Sequence, residues 1–448
     1  MSGIAEVLLN LGYPVSGTDQ KSSTITRRLK KRGATIHYGH KGEHVIGSDV
    51  VVVSSAIKKE NPEYVTALEN KIPIISRAEM LAELMRFSKF GIAVAGTHGK
   101  TTTTSLVASV LYAGGLDPTM IIGGKVNHFR TNARLGKGDF MVAEADESDG
   151  SFLKLDPSIA VITNIDREHM DFYGSFAKVK KAFVDFAGKV PFYGAVICCG
   201  DHPVVKELIP QMSKRVITYG LSDDVTWQAR DIHFENGFTQ YELFVNGEKK
   251  DTIKLNLLGE HNVRNSLATL IVANELGISQ KKSNQALSGF KGIHRRLEVL
   301  YKSGDNTLID DYGHHPEEIK ATLQAIRMAY SGPLITIFQP HRYTRTFDLL
   351  DDFKKAFSKT DDLYITDIYA AGEAPIEGVS ASRLVAQIAK KHKGRVGYLP
   401  KNKALADEIF KLIEPGAMVL FLGAGDITYI ASEVAKKMVK KYGKHIND

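Results

Sequence analysis

The sequence predicts an α/β protein of three successive domains, and three observations carry that prediction. Short β-branched runs, read as buried parallel strands, alternate with amphipathic helical stretches along all 448 residues. A glycine-containing loop, Gly96-Thr97-His98-Gly99-Lys100-Thr101-Thr102, lies between an apolar run and a helical pattern. Two Asn-Gly pairs, Asn236-Gly237 and Asn246-Gly247, punctuate alternating residues between Phe234 and Leu258, the signal for tight hairpins. A chain of this length exceeds one ordinary core, so two or three domains are expected.

Residues 1–88 read as a Rossmann-like, doubly wound domain. A helix runs from Ile4 to Leu11, a strand ends at Asp19, and a basic amphipathic helix spans Thr24 to Lys31. Strands follow at Ala34 to Tyr38, Asp49 to Ser54 and Pro73 to Arg77. The strand and glycine-rich turn that open such a domain are expected to be missing, because the sequence starts on the helix. Residues 89–293 read as a central phosphate-loop ATPase domain, a parallel sheet with a small antiparallel sheet added at the Asn-Gly turns. Residues 294–448 alternate again as a second Rossmann-like domain, with strands near Leu308 to Asp311, Leu334 to Phe338, Leu363 to Asp367 and Met418 to Leu422.

Composition excludes several classes of function. The apolar share (43%) and charged share (24%) are those of a globular protein. No run of about 18 apolar residues is long enough to enter a membrane. The start, Met1-Ser2-Gly3-Ile4, lacks a basic-then-apolar signal, so a cytoplasmic protein is expected. Cys198 and Cys199 are adjacent in an apolar run, which suits core packing in a reducing compartment better than a disulfide. The net charge of +7 does not indicate nucleic acid: Lys436, Lys437, Lys440, Lys441 and Lys444 suit the solvated face of a terminal helix, and aromatic interleaving is lacking. A modest positive balance equally suits polyphosphate substrates.

The loop at 96–102 has the chemistry of a phosphate cradle. Gly96 and Gly99 allow a turn whose backbone N–H groups face phosphate oxygens, and the helix starting near Lys100 adds the positive end of its dipole. Lys100 reaches β- and γ-phosphates, and the Thr101 hydroxyl is a magnesium ligand in such loops. The strict pattern wants a glycine at position 94, where this chain has Val94, so the glycine spacing is shortened. Further oxygen or imidazole ligands are expected at neighbouring strand ends. Two candidates follow strands there: the acidic run Glu144-Ala145-Asp146-Glu147-Ser148-Asp149, and Asn164 to His169. The plain alternatives are a glycine turn without ligand, a solvated acidic loop and a capping histidine.

Nine segments occur in order: Gly96 to Thr103, Glu144 to Asp149, Thr163 to Asp171, Gly259 to Asn265, Arg295-Arg296, Asp310 to Pro316, Phe338 to Thr346, Ile368 to Pro375 and Leu422 to Asp426. Together they resemble the Mur ligase family, over essentially the whole chain. The shortened glycine spacing matches that family. The resemblance implies an ATP-dependent ligase of peptidoglycan synthesis that uses two magnesium ions. Its segments favour L-alanine and UDP-N-acetylmuramate as substrates, in a monomer or homodimer.

The resemblance also implies site roles. Lys100 would bind the γ-phosphate, and Thr101, Glu144 and His169 would serve the magnesium ions. Asn262 and Asn265 match an adenine-side motif, while Arg296 and Asp311 would serve ATP from the third domain. His314, His341, Arg342 and Arg345 match an amino-acid site that Tyr312 limits in size, with His314 or His341 as the base for the amine. Asp19, Ser54 and Ser55, at later strand ends, are candidate contacts to the UDP-sugar. The family's opening strand cradles the UDP pyrophosphate, so this chain is expected to bind UDP-muramate weakly and to be less stable than one extended upstream. Alternatives are the relative that reattaches a recycled tripeptide, a folylpolyglutamate synthase, a nucleotide-driven switch or motor, and a binding module. The run Glu144 to Asp149 and the segment Ile368 to Pro375 favour the alanine enzyme over the tripeptide one.

Overall fold

Apolar strands shielded on both faces need helices on both sides, and this requirement organises the chain. The computed structural model describes residues 1–54, 56–127, 131–235, 237–303 and 306–443. These fall into two compact units. One comprises Met1–Ile232, Gln240–Leu255 and Asn262–Phe290; the other comprises His233–Thr239, Asn256–His261 and the chain from Lys291 onward.

The N-terminal region carries β1 (Ser16–Asp19), β2 (Thr35–Tyr38), β3 (Val51–Val53) and β4 (Ile74–Ser76). The expectation was one doubly wound sheet. Among the described residues these strands form two separate parallel pairs, β1 with β2 and β3 with β4. The helix Ser2–Asn10 is tied to the basic helix Thr24–Lys31 by a buried carboxylate: Glu6 forms an ion pair with Arg28 Nε at 2.6 Å and lies 3.7 Å from Arg32. The helix Arg77–Arg86 starts in a capping box, in which Ser76 and Glu79 bond reciprocally to each other's backbone N–H. Glu79 also pairs with Lys154 at 2.9 Å, fastening this region to the strands that follow.

The central sheet has ten strands: β5 (Phe90–Ala95), β6 (Thr119–Val126), β7 (Thr131–Arg134), β8 (Phe140–Glu144), β9 (Ile159–Ile162), β10 (Ala195–Cys199), β11 (Val216–Gly220), β12 (Trp227–Glu235), β13 (Phe238–Val245) and β14 (Glu248–Leu255). Their order is β14-β13-β12-β11-β10-β9-β5-β8-β6-β7. Every pairing from β12 through β6 is parallel. The hairpin strands at the Asn-Gly turns therefore extend the main sheet rather than form a sheet of their own. Asn246 and Gly247 take the positive φ values (52° and 78°) such a turn needs, while Asn236 lies outside the described residues. The cysteines fall on β10 and are buried and free, as core packing requires.

The second unit holds β15 (Glu298–Ser303), β16 (Asn306–Asp311), β17 (Leu334–Phe338), β18 (Asp362–Ile365), β19 (Val396–Tyr398) and β20 (Met418–Leu422), ordered β15-β16-β20-β17-β18-β19. Only β15 is antiparallel to its neighbour. Side chains alternate between two buried clusters. Leu308, Ile335, Val419 and Phe421 pack on one face with the helices Leu405–Leu412 and Ile427–Tyr442. Ile309, Phe338, Leu420 and Leu422 pack on the other with the helices Pro316–Ala329 and Ala381–Ile388. That period-two partition is what makes the unit doubly wound.

Candidate active site

Because β9, β5 and β8 are adjacent and parallel, their C-terminal ends open side by side, where ligands bind in open α/β sheets. From β5 the chain enters Gly96 at φ +132°, and a Cβ there would lie 2.1 Å from Thr163 Oγ1. Only glycine fits. Gly99, at φ +83°, caps the helix Lys100–Gly114, and its missing Cβ leaves room for the Asn265 carboxamide. The loop is held from below by the end of β9. Thr97 N–H donates to Asn164 O (3.1 Å), His98 N–H donates to Asn164 Oδ1 (2.7 Å), and Asn164 Nδ2 and Thr163 Oγ1 both donate to His98 O (3.0 and 2.6 Å). With its backbone fixed and a helix N-terminus beginning at Lys100, the loop is a preformed anion site.

Lys100 donates to Gly96 O (2.6 Å), Thr97 O (3.2 Å) and Glu147 Oε1 (2.9 Å). Burial alone would lower the lysine, but the carboxylates of Glu147, Asp146 and Glu144 hold it above its ordinary value. His169, in a left-handed conformation at φ 58°, places Nε2 4.0 Å from Glu147 Oε1 and 3.6 Å from Glu168 Oε2. The structure therefore gathers Lys100, Glu147 and His169. Glu144, the member of the acidic run selected by resemblance, accepts the Gly123 N–H at 2.6 Å. Glu147 was the member missed, because beyond a strand end alternation no longer says which carboxylate turns inward.

Thr101, Thr102 and Thr103 occupy the first turn of the loop helix, where Thr103 Oγ1 donates to Asn265 Oδ1 at 3.1 Å. Asn265 Nδ2 in turn donates to Asn262 Oδ1 at 3.1 Å. Both asparagines are buried on the helix Glu260–Glu275 and join it to the loop helix.

Magnesium binds hard oxygens through one or two carboxylates and keeps its remaining positions for water and substrate phosphates. The donors fit that habit. Glu147 Oε2 is buried without a hydrogen-bond partner beside the loop, Glu144 and the Thr101 hydroxyl are close in sequence to it or to the loop, and His169 adds an imidazole. Among the described residues no group of three His, Cys, Asp or Glu side chains forms an all-protein metal cage.

In the second unit, β16, β20 and β17 end in register, with Asp311 and Phe338 both opposite Leu422, so the segments after them emerge together. Asp311 is buried, and burial raises its carboxyl. Its oxygens accept the N–H groups of Leu297 and Gly313, each at 2.8 Å. Those bonds hold the turn Arg295–Leu297, in which Arg295 (φ 58°) and Leu297 (φ 46°) are left-handed. The two guanidinium groups of Arg295 and Arg296 lie 4.9 and 5.3 Å from the Tyr312 ring, and Arg296 approaches Glu318 at 3.7 Å.

The Tyr312 ring packs edge-on against His314 (5.5 Å), and His314 lies 5.5 Å from His341. His341 stacks on Tyr369 and contacts Arg345 Nη1 through Nδ1 at 3.3 Å. Burial, His314, Arg345 and Arg342 push the His341 imidazole down to about 4. Arg342, at φ 70°, is exposed and lies 4.0 Å from Glu373. Tyr369 was missed in the sequence because no spacing rule links it to the histidines, whereas Glu318 follows His314 at i+4 and could have been read from that spacing.

The proposed UDP-sugar contacts are less developed. Asp19 at the end of β1 accepts the Lys21 N–H at 3.4 Å, Ser54 follows β3, and Ser55 lies outside the described residues.

Comparison with known proteins decides the family. The chain matches the Mur ligase middle domain over residues 94–273, the Mur ligase family catalytic domain over 1–89 and the Mur ligase glutamate ligase domain over 295–425. The chain belongs to the Mur ligase family. It is 50% identical to the UDP-N-acetylmuramate–L-alanine ligase of Geotalea daltonii, covering 98% of this chain and 95% of the relative. Its identity to the Sorangium cellulosum enzyme of the same name is 51%, covering 95% and 92%. Among solved structures, this Mur ligase superposes on the UDP-N-acetylmuramate–alanine ligase MurC of Thermotoga maritima with a TM-score of 0.83 and 27% identity, over 98% and 96% of the two chains. A murein peptide ligase from Psychrobacter arcticus shares the fold, with a TM-score of 0.70 at 24% identity.

Proposed function

We propose that this Mur ligase joins L-alanine to the lactyl carboxylate of UDP-N-acetylmuramate at the expense of ATP, giving UDP-N-acetylmuramoyl-L-alanine, ADP and phosphate. The carrying observation is identity near 50% across almost the full length of relatives bearing that activity's name. The loop, the Lys100–Glu147 pair and the histidine–arginine cluster support it. We divide the chain at about residues 88 and 293 into UDP-sugar, ATP and amino-acid domains, and place the reaction in the cytoplasm. Among the described residues no helix is long and apolar enough to cross a membrane.

The chemistry runs in two steps. A lactyl carboxylate oxygen attacks the γ-phosphorus of ATP, the bond to the β,γ-bridging oxygen breaks, and ADP leaves behind an acyl phosphate. The alanine amine then attacks the acyl carbon and expels inorganic phosphate. Positioning and charge neutralisation dominate the first step. The loop amides from Gly96 to Thr102 hold the phosphates, and Lys100 moves from its carbonyl acceptors to the γ-phosphate. Thr101, Glu144 and His169, with Glu147, would hold two magnesium ions, which when bound would neutralise charge on the transferring group. Asn262 and Asn265 fix the nucleotide end of the loop helix, and the family resemblance assigns Arg296 and Asp311 to ATP.

In the second step Arg345 and Arg342 bind the alanine carboxylate through paired N–H donors, and Tyr312 restricts the side chain. His314 is the better base of the two histidines. Its Nδ1 faces the Tyr312 carbonyl at 3.1 Å, which puts the ring proton on Nδ1 and makes Nε2 the acceptor. His341 has its Nδ1 lone pair directed at the Arg345 guanidinium, which leaves its proton on Nε2. Asp19, Ser54 and Ser55 serve the UDP-sugar.

Phosphate release tests this reading, measured with ATP, UDP-N-acetylmuramate and a panel of L-alanine, glycine, L-serine and the stem tripeptide. Release requiring both the UDP-sugar and alanine is expected. Equal release with ATP alone, as from a nucleotide-driven switch, overturns it, and preference for the tripeptide moves the chain to the recycling branch.

A further inference from the structure

Asp166 lies in the segment that follows β9 and reaches into the phosphate loop by two routes. Its backbone N–H donates to Thr97 Oγ1 at 2.8 Å. Its carboxylate stands between two imidazoles, with Oδ2 3.4 Å from His98 Nε2 and Oδ1 3.4 Å from His202 Nε2. Thr97 and His98 are the two residues between the loop glycines. His202 follows β10, one strand farther out, and reaches the loop through Asp166. Burial works against an ionised Asp166, but the His202 and His98 rings hold it well below the usual carboxylate range. It is therefore ionised at neutral pH and stands within ion-pair distance of both rings.

Asn164 and Thr163 already fix the main chain of Thr97 and His98. Asp166 engages the side chains of the same two residues. A loop that binds by aiming backbone amides at phosphate oxygens loses affinity once its residues can turn, because preorganisation supplies the binding. His202 orients the carboxylate in the way an outer partner orients a ligand-bearing group.

We propose that Asp166 is the positioning residue of the phosphate loop and that His202 is its outer brace, so nucleotide affinity depends on a histidine remote from the phosphates. The proposal rests on the nucleotide-binding reading of the loop and is independent of which amino acid is ligated. The test is the dissociation constant of N-methylanthraniloyl-ADP with magnesium, read by fluorescence without either co-substrate. Asp166→Asn should weaken binding about tenfold, the equivalent of losing one charge-assisted hydrogen bond. His202→Ala should weaken it about threefold, the lower end of what one polar contact contributes, and His202→Gln, whose amide nitrogen replaces Nε2, should restore it. Melting temperatures should stay at the wild-type value. His202→Ala should add nothing in the Asp166→Asn background, since the two act in series.

Wild-type affinity in Asp166→Asn overturns the proposal, as does full additivity of the two substitutions. If Asp166→Asn does not fold, the His202 pair decides: equal affinity of His202→Ala and His202→Gln overturns it, and rescue by glutamine upholds it. A wild-type chain that binds no nucleotide overturns the loop reading and the brace together.

Discussion

Lys100 Nζ lies 2.9 Å from Glu147 Oε1, and both side chains are largely buried, at 18% and 4% exposure. The loop lysine is thus half of a buried ion pair before any phosphate arrives. Removing one member leaves the other charge uncompensated, at a cost of about 3 kcal/mol. Lys100→Met should therefore abolish phosphate release and also lower the melting temperature. The double variant Lys100→Met/Glu147→Gln should regain much of the lost stability and none of the activity. Denaturant unfolding of both checks it, and a double variant less stable than the single would contradict it.

Gly99 tests the fit of the loop. A side chain there faces a left-handed backbone and the Asn265 carboxamide, 2.9 Å from where Cβ would stand. Gly99→Ala should cost about 1–2 kcal/mol of local strain and weaken ATP binding, raising KM for ATP more than KM for alanine. An unchanged KM for ATP would show that the loop relaxes freely at this point.

His314 and His341 should respond differently to pH. Replacing His314 by Asn removes the amine's proton acceptor, and kcat should fall about 10²–10⁴-fold, as for loss of general base catalysis, with the acid limb of the pH–rate profile lost. His341 is held near 4 in the fold against an ordinary 6.5. Between those values the unfolded chain binds more protons than the folded one, so stability falls as pH drops through that window. Melting curves from pH 7 to 4 should show a shallower loss for His341→Asn than for wild type.

Chelation separates metal from fold. EDTA should stop phosphate release while far-UV circular dichroism and the melting transition stay in place, because no all-protein cage among the described residues needs the ion. Glu144→Gln should raise the magnesium concentration giving half-maximal rate. A melting transition that collapses on chelation would instead indicate a structural metal.

The strand, loop and helix from β5 through Lys100 to Gly114 were legible in the sequence, because apolar run, glycines and helical period all act locally. Nothing local told which carboxylate of the acidic run meets Lys100; that depends on how the chain turns after β8. The extension of the central sheet by β12 to β14 was hidden for a related reason. A hairpin's turn chemistry is local, but the edge on which it docks is not. The two strand pairs of the N-terminal region likewise read as one sheet, since a strand's apolar pattern does not name its neighbour. In the second unit the histidines and arginines were readable as a cluster by resemblance, while Tyr369 joins it only through the bridge between His341 and Tyr369.

Asp311 has a consequence for genetics. The carboxylate acts as a template for the turn that carries Arg295 and Arg296, so alleles at 311 and 296 should be epistatic, the second adding little once the first has disordered the turn. Suppressors of an Asp311 lesion should accordingly arise where they relieve the backbone rather than replace the charge. Leu297 is the first place to look: it is left-handed at φ 46°, and Leu297→Gly would let the turn hold its shape without the template.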